Sequence, residues 1–180
     1  MPLFPSSYIK TAAAAVQRVR DQLSFPFTAR PQAMTVYIRF VELGSVQANL
    51  SRVIHIGNTA TTLGRLFISS NGSFYQITHG NDTSSQTATL AAAPSYGSLV
   101  ELRGVLNANG SVLLGQSVAG AAETTTATSA TLSMSSYWGT ATIWFNSVGA
   151  SGVGFVALRD VKIVAGVHTM QEMRVWAGTD

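Results

Sequence analysis

Eight carboxylates and three imidazoles carry most of the acid–base chemistry open to this 180-residue sequence near neutral pH. Asp21, Glu42, Asp82, Glu101, Glu123, Asp160, Glu172 and Asp180 are spread along the chain, and no two lie within four residues of each other. Hydrolysis of a glycosidic bond requires two carboxyl groups facing one sugar. The sequence lacks a close Glu-x-Asp-x-x-Glu cluster, so such a pair would need distant strands to converge. His55, His79 and His168 are far apart and read as polar side chains satisfied by hydrogen bonds, not as ligands of one metal. Cysteine is absent, which removes disulfides and thiolate metal sites. No nucleophile sits in a known motif, and no Gly-rich phosphate loop follows a strand. In "HGNDTSSQ", residues 79–86, the oxygens of Asn81, Asp82, Thr83 and Ser84 could gather around calcium. One carboxylate is thin for that ion, and an Asx-type turn is favoured. The expectation is a protein with no catalytic residue, no metal and no cofactor.

Composition points the same way. Charged residues make up 11% of the chain, against roughly a quarter in ordinary globular domains. Much of the surface must then be Ser, Thr, Asn, Gln and Gly. Such a surface suits packing against another polypeptide, because few charges need desolvating. The net charge is +3, and the arginines are scattered rather than clustered, which argues against nucleic acid as a partner. No stretch is long and apolar enough for a transmembrane span, and "TAAAAV" is too short for a signal-peptide core. A soluble chain outside the secretory route is expected.

The elements that must position these residues are strands. "MTVYIRFVEL" alternates, with Val36, Ile38 and Phe40 on one face and Tyr37 and Arg39 on the other. "LSRVIHIGN" is β-branched. "GRLFISSNGSFYQITHG" predicts two strands joined at Asn71-Gly72, and "SLVELRGVLNANGSVLLGQSV" repeats the device at Asn109-Gly110, because Asn-Gly tolerates the positive φ of a tight hairpin. Val100, Leu102 and Leu106 form one set on that strand. "SATLSMS", "TATIWFNSVG" and "GFVALRDVKIVAG" supply three more strands. The last alternates Phe155, Ala157, Arg159, Val161 and Ile163 against Val156, Leu158, Asp160, Lys162 and Val164. In "HTMQEM", Thr169 stands three residues before Glu172, a capping-box spacing that predicts a short helix over 169–174. Nine or ten short strands without helix–strand alternation predict an all-β, antiparallel two-sheet jelly-roll sandwich with a short C-terminal helix.

Two segments stand apart. Residues 119–136, "AGAAETTTATSATLSMSS", are of low complexity and predict a surface loop running into an edge strand, with a subunit contact as the alternative. Trp144 or Phe145 points into the core, Trp138 and Tyr96 read as turn residues, and no glycan site is assigned to them. The leader, "SSYIKTAAAAVQRVRDQLSF", is alanine-rich and basic, and prolines at 2, 5, 26 and 31 frame it. That frame favours extended chain over a long helix.

The leader resembles a segment of bacteriophage virion proteins that precedes a concanavalin A-like (laminin G-like) jelly-roll module in tail, head-fibre and head-spike proteins. "VELRGVLNANGSVLLGQSVAGAAE" is similar to the central hairpin of that module, and "VGFVALRDVKIVAGVHTMQEMR" to its closing strand and helix. Lys10 and Gln17 depart from the usual leader pattern. The resemblance implies a virion structural protein, assembled in the host cytoplasm and acting through protein–protein contacts with capsid or other virion proteins. A start at Met just before the leader suits a capsid decoration (cement) protein or a head spike. Residues 1–24 are then an N-terminal docking arm, with Tyr8, Ile9, Val16, Arg18, Val19 and Arg20 as its contact residues, and residues 25–180 are the sandwich domain. A homo-oligomer, by analogy a trimer, is expected. The runner-up is a lectin-like module of a tail fibre that binds a surface glycan. A glycan hydrolase ranks third.

Overall fold

The structure is a computed structural model of the chain, and it describes residues 23–26, 32–43, 51–57, 65–70, 73–91, 95–134, 142–145 and 156–178. Its strands are β1 (Leu23–Pro26), β2 (Met34–Glu42), β3 (Ser51–Gly57), β4 (Arg65–Ser70), β5 (Tyr75–Gly80), β6 (Ser85–Thr89), β7 (Leu99–Leu106), β8 (Val112–Val118), β9 (Thr124–Ala127), β10 (Thr142–Phe145) and β11 (Val156–Ala165). One helix, α1 (Met170–Ala177), follows the last strand.

The strands form two antiparallel sheets, in the orders β1-β10-β3-β4-β5-β6 and β11-β2-β7-β8-β9. Alternation decides which residues meet between them. Val36, Ile38 and Phe40 point inward as expected, and Val100, Leu102 and Leu106 face them from β7's side of the same layer. Ile54, Ile56, Leu66, Ile68, Tyr75 and Ile77 close the core from the six-stranded sheet. The sheets meet tightly at Gly104, where an added Cβ would lie 2.8 Å from Ile68 Cδ1 and 2.9 Å from Ile77 Cδ1. Glycine is required there because the opposite isoleucines fill the space its side chain would take.

Two interior polar contacts tie β5 to the facing sheet, one at each end of the core. Tyr75 is fully buried and donates its hydroxyl hydrogen to the Glu42 carboxylate at the end of β2. Four residues on, His79 Nδ1 lies 2.8 Å from the Gly110 carbonyl at the tip of the β7–β8 hairpin. The Asn109-Gly110 turn forms as its sequence predicts, with Gly110 at φ +80°. The turn at Asn71-Gly72 lies outside the described residues, although the two strands it would join, β4 and β5, pair antiparallel.

Two expectations need correction, and one strand arises where none was expected. The strand expected over "SATLSMS" falls earlier, at β9, where three threonines pair with β8. Residues 128–134 instead cross the hairpin tip, held by Thr128 N–H to Val112 O and Leu132 N–H to Asn109 O, each 2.9 Å. Strand β6 arises directly after the Asn81 turn, a stretch that carried no strand expectation. In β11, strict alternation breaks between Leu158 and Asp160. Arg159 is the extra residue of this bulge, so Leu158 packs on the core with Val161 and Ile163 instead of opposing them.

Helix α1 starts as predicted and runs three residues further. Thr169 Oγ1 accepts from Glu172 N–H at 3.2 Å, Thr169 N–H donates to Glu172 Oε2 at 2.7 Å, and Gly178 closes the helix at φ +66°. Met170 and Met173 bury against Tyr37 on the outer face of the five-stranded sheet.

Candidate interaction surface

The residues expected to form the docking arm, Tyr8, Ile9, Val16, Arg18, Val19 and Arg20, lie outside the described residues, as do Tyr137 and Trp138. Of the arm, Leu23 and Ser24 are described, and both belong to β1, paired with Phe145 and Trp144. From β10, Ile143 packs against the core.

The glutamates of the described residues are committed within the chain. Glu42 accepts from Tyr75. Burial, hydrogen bonding to Glu42 and the Glu42 charge together push the Tyr75 phenol far above its ordinary range. Glu101 lies under α1 on the outer face of β7. It receives Tyr37 Oη at 2.6 Å and Arg174 Nη2 at 2.5 Å, and Arg174 also reaches Ser117 Oγ at 2.8 Å. Burial alone would raise its carboxyl, but the bonds from Arg174, Tyr37 and Ser117 and the Arg174 charge hold it below the usual range. Arg103 Nε donates to Glu123 Oε1 at 2.7 Å, and its Nη1 donates to the His168 carbonyl at 2.9 Å. Glu172 is held low by the Thr169 backbone and side-chain bonds of the cap.

The histidines divide. His55 is buried and stands edge-on to Phe67 at 6.2 Å between ring centres. His168 lies 4.7 Å from the Trp176 ring and 2.9 Å from the Ala165 carbonyl through Nε2. His79 departs from the expectation of a fully satisfied side chain. Nδ1 is bonded, but Nε2 is buried without a hydrogen-bond partner. In the 79–86 loop, Asn81 Oδ1 accepts from Thr83 N–H at 2.9 Å and Ser84 N–H at 2.8 Å, the Asx-type turn expected there. Among the described residues, no group of three or more His, Asp or Glu side chains is arranged to hold a metal ion.

What the fold exposes is the low-complexity stretch. Residues 119–134 are mostly exposed, yet every part is tied down. Ser117 Oγ donates to Ala121 O at 2.7 Å, β9 pairs with β8, and Asn81 Nδ2 donates to Ser133 Oγ at 3.0 Å. Glu123 is the one ionisable residue from Ala121 to Met134, and Arg103 of the same chain neutralises it. Gly115 makes that pair fit: a Cβ there would fall 1.7 Å from Glu123 Oε1. The sequence did signal exposed Thr-rich chain, but the neutralising pair depends on a missing side chain on the neighbouring strand β8. Beside this stretch, an apolar cleft of about 290 Å³ opens between the sheets, lined by Leu90, Ala91, Gln116, Val118, Ala121, Ala122 and Thr124.

These two sheets, their strand pairing and the closing helix decide the architecture. The fold is a laminin G-like jelly roll. The sequence matches no protein-family model and no curated protein. Solved structures show the likeness. The chain is similar to the carbohydrate-binding module (CBM40) of the Ruminococcus gnavus IT-sialidase bound to α2,3-sialyllactose, at 12% identity and a TM-score of 0.59, covering 82% of this chain and 83% of that one. It is similar to the full-length tailspike protein 2 of an Escherichia coli O157:H7 bacteriophage, at 13% identity and a TM-score of 0.61. That match covers 88% of this chain and 23% of the tailspike. The laminin α2 chain region of three such domains matches at 11% identity and a TM-score of 0.60, over 79% of this chain and 28% of that one. The chain thus spans about a quarter of the tailspike and of the laminin region.

Proposed function

We propose that the protein is a structural component of a bacteriophage virion, a capsid decoration or head-spike protein that works by surface fit to other polypeptides and performs no bond-making chemistry. The observation that carries this reading is the ordered, exposed and neutral surface of residues 119–134. Such a surface can be covered at little desolvation cost. It includes β9, an edge strand of Thr124–Ala127 with no lysine, proline or bulge in it, the devices that usually keep an edge from pairing. An edge of that kind can add a strand from a partner by main-chain hydrogen bonds. The engagement of the glutamates in folding contacts supports a role without catalysis. The tailspike likeness supports the virion setting, and the leader motif supports a docking arm.

The test is composition of the particle. Mass spectrometry of gradient-purified virions should find the protein at a fixed copy number, and Thr125→Lys with Ala127→Lys should lower that number while the purified chain keeps its far-ultraviolet spectrum. Absence from clean particles would sink the proposal.

One observation favours a second reading, a glycan-binding module. The cleft beside β9 offers the Gln116 amide and the Thr124 hydroxyl over apolar walls, the mixture that sugar sites use. The carbohydrate-binding module of similar fold is itself a glycan binder. A glycan array with the isolated protein separates the two: binding that Gln116→Ala abolishes supports the module, and an array without hits counts against it.

A further inference from the structure

The hairpin tip and the strap across it hang on one imidazole. His79 is fully buried on the inner face of β5, opposite Leu66 of β4 and Gln86 of β6. The Gly110 carbonyl can only accept, so Nδ1 carries the proton and Nε2 is a bare acceptor. The Gln86 Nε2 amide donates to the same carbonyl. Gly110 in turn sits under the strap. An added Cβ there would fall 1.6 Å from Leu132 O. Leu132 N–H is bonded to Asn109 O, and Ser133 is bonded to Asn81, two residues beyond His79. Hairpin tip, strap and the β5–β6 turn therefore form one unit, and the imidazole is its interior peg.

We infer that the His79–Gly110 contact is an acid-released latch: a second proton on the ring frees residues 107–112 and 128–133 from the six-stranded sheet while the rest of the sandwich stays folded.

The groups around the ring explain the direction. Leu66 faces it from β4, Gln86 from β6, Asn107, Asn109 and Ser111 belong to the hairpin, and Leu132 and Ser133 to the strap. All are neutral. Thr78 and Gly80 flank it on its own strand, and Asn81 follows in the turn after β5. Among the described residues, the charged neighbours on β4 and in the β5–β6 turn are directed elsewhere. The Arg65 guanidinium lies 5.0 Å over the Phe67 ring, on the opposite face of β4, and Asp82 is exposed in the turn. No carboxylate of the described residues faces the ring to balance a charge at Nε2. Burial accordingly lowers the proton affinity of the ring, and the Gly110 bond offsets this only in part. An imidazole that is harder to protonate folded than unfolded stabilises the fold above the ordinary value, about 6.5, and that stability is lost as pH falls below it. Opening the latch hydrates the ring, so the opened form takes the proton first. The strap is also the C-terminal part of the exposed neutral surface, so acid would reshape that surface. The inference holds whatever the surface binds.

Amide hydrogen exchange on the full chain, corrected for intrinsic rates, tests it. Between about pH 7.5 and pH 5, the opening constant of residues 107–112 and 128–133 should rise by up to about tenfold per pH unit, the slope of one proton. Amides of β2 and β7 should keep their protection. His79→Gln, whose amide can still donate to Gly110 O but does not titrate, should remove this pH dependence. Persistence of the dependence in that variant, or its absence in the wild type, overturns the latch. Should the variant fail to fold, the ring 15N shifts of the wild type decide instead. Protonation of His79 at or above about pH 6.5 without a shift at Gly110 would refute it.

Discussion

At the scale of single residues, the most informative group is Glu101. A carboxylate buried between a helix and a sheet is costly unless it is matched, and Tyr37, Ser117 and Arg174 match it from three elements. Removing one partner of such a pair leaves a buried charge, which usually costs several kcal/mol. Arg174 keeps some solvent contact, so Arg174→Met is expected to cost about 2–3 kcal/mol in urea unfolding. The sign of the pH effect follows from the direction of the shift. Glu101 is ionised more easily folded than unfolded, so its stabilisation is complete above the ordinary value of 4.5 and is lost as pH falls through the folded value. In Arg174→Met that acid-side loss should vanish or reverse, as measured by unfolding midpoints followed downward in pH from above the ordinary carboxylate value. A smaller effect belongs to the helix cap. Thr169→Ala removes the acceptor of Glu172 N–H, and helix α1 should lose about 1 kcal/mol, read from exchange of its first-turn amides.

At the scale of elements, the sequence was legible where one local rule decided the outcome. The alternation of β2, the Asn109-Gly110 turn and the Thr169/Glu172 cap each follow from neighbours in the chain, and each is found as predicted. It was illegible where distant strands decided. The bulge at Arg159 depends on register with β2, and nothing in "ALRDVKIV" announces it. The strand at β9 precedes the one expected because β8 offers its edge to the threonines, while the chain beyond them is captured by the hairpin tip. That capture makes a prediction. Gly110 combines a positive φ with a backbone oxygen where a side chain would stand. Gly110→Ala must therefore strain the turn and displace Leu132, at a cost above the roughly 1 kcal/mol of the backbone term alone. Limited proteolysis should cut the variant first within residues 128–134. Cleavage elsewhere first, at unchanged stability, would mean that the strap is not held by the hairpin.

At the scale of the whole molecule, fold class was legible because short alternating segments and turn signals leave few architectures, whereas the contact surface was only half legible. Threonine and alanine announce exposed chain, but its neutrality rests on Arg103 reaching Glu123 over Gly115. The two interior ties of β5 were not legible at all, since Glu42, Tyr75, His79 and Gly110 are joined only once the sheets face each other. Their chemistry makes the sandwich sensitive at both ends of the pH scale, acid at His79 and alkali at Tyr75. The alkaline side can be isolated. Tyr75 holds its proton more tightly folded than unfolded, through burial first and Glu42 second. The unfolded chain therefore loses this proton above about pH 10 while the native chain keeps it, so stability is complete below that value and falls above it. One proton sets the slope at about 1.4 kcal/mol per pH unit. Other tyrosines and lysines titrate in the same range, so the difference from Tyr75→Phe carries the information. That variant should lose about 1–3 kcal/mol at neutral pH, because Glu42 forfeits a buried donor. Its stability should then fall less steeply than the wild type's between about pH 10 and pH 11.5. Equal slopes in the two proteins would show that the phenol ionises without opening the core, and the tie between β5 and Glu42 would then contribute nothing to holding the two sheets together in alkali.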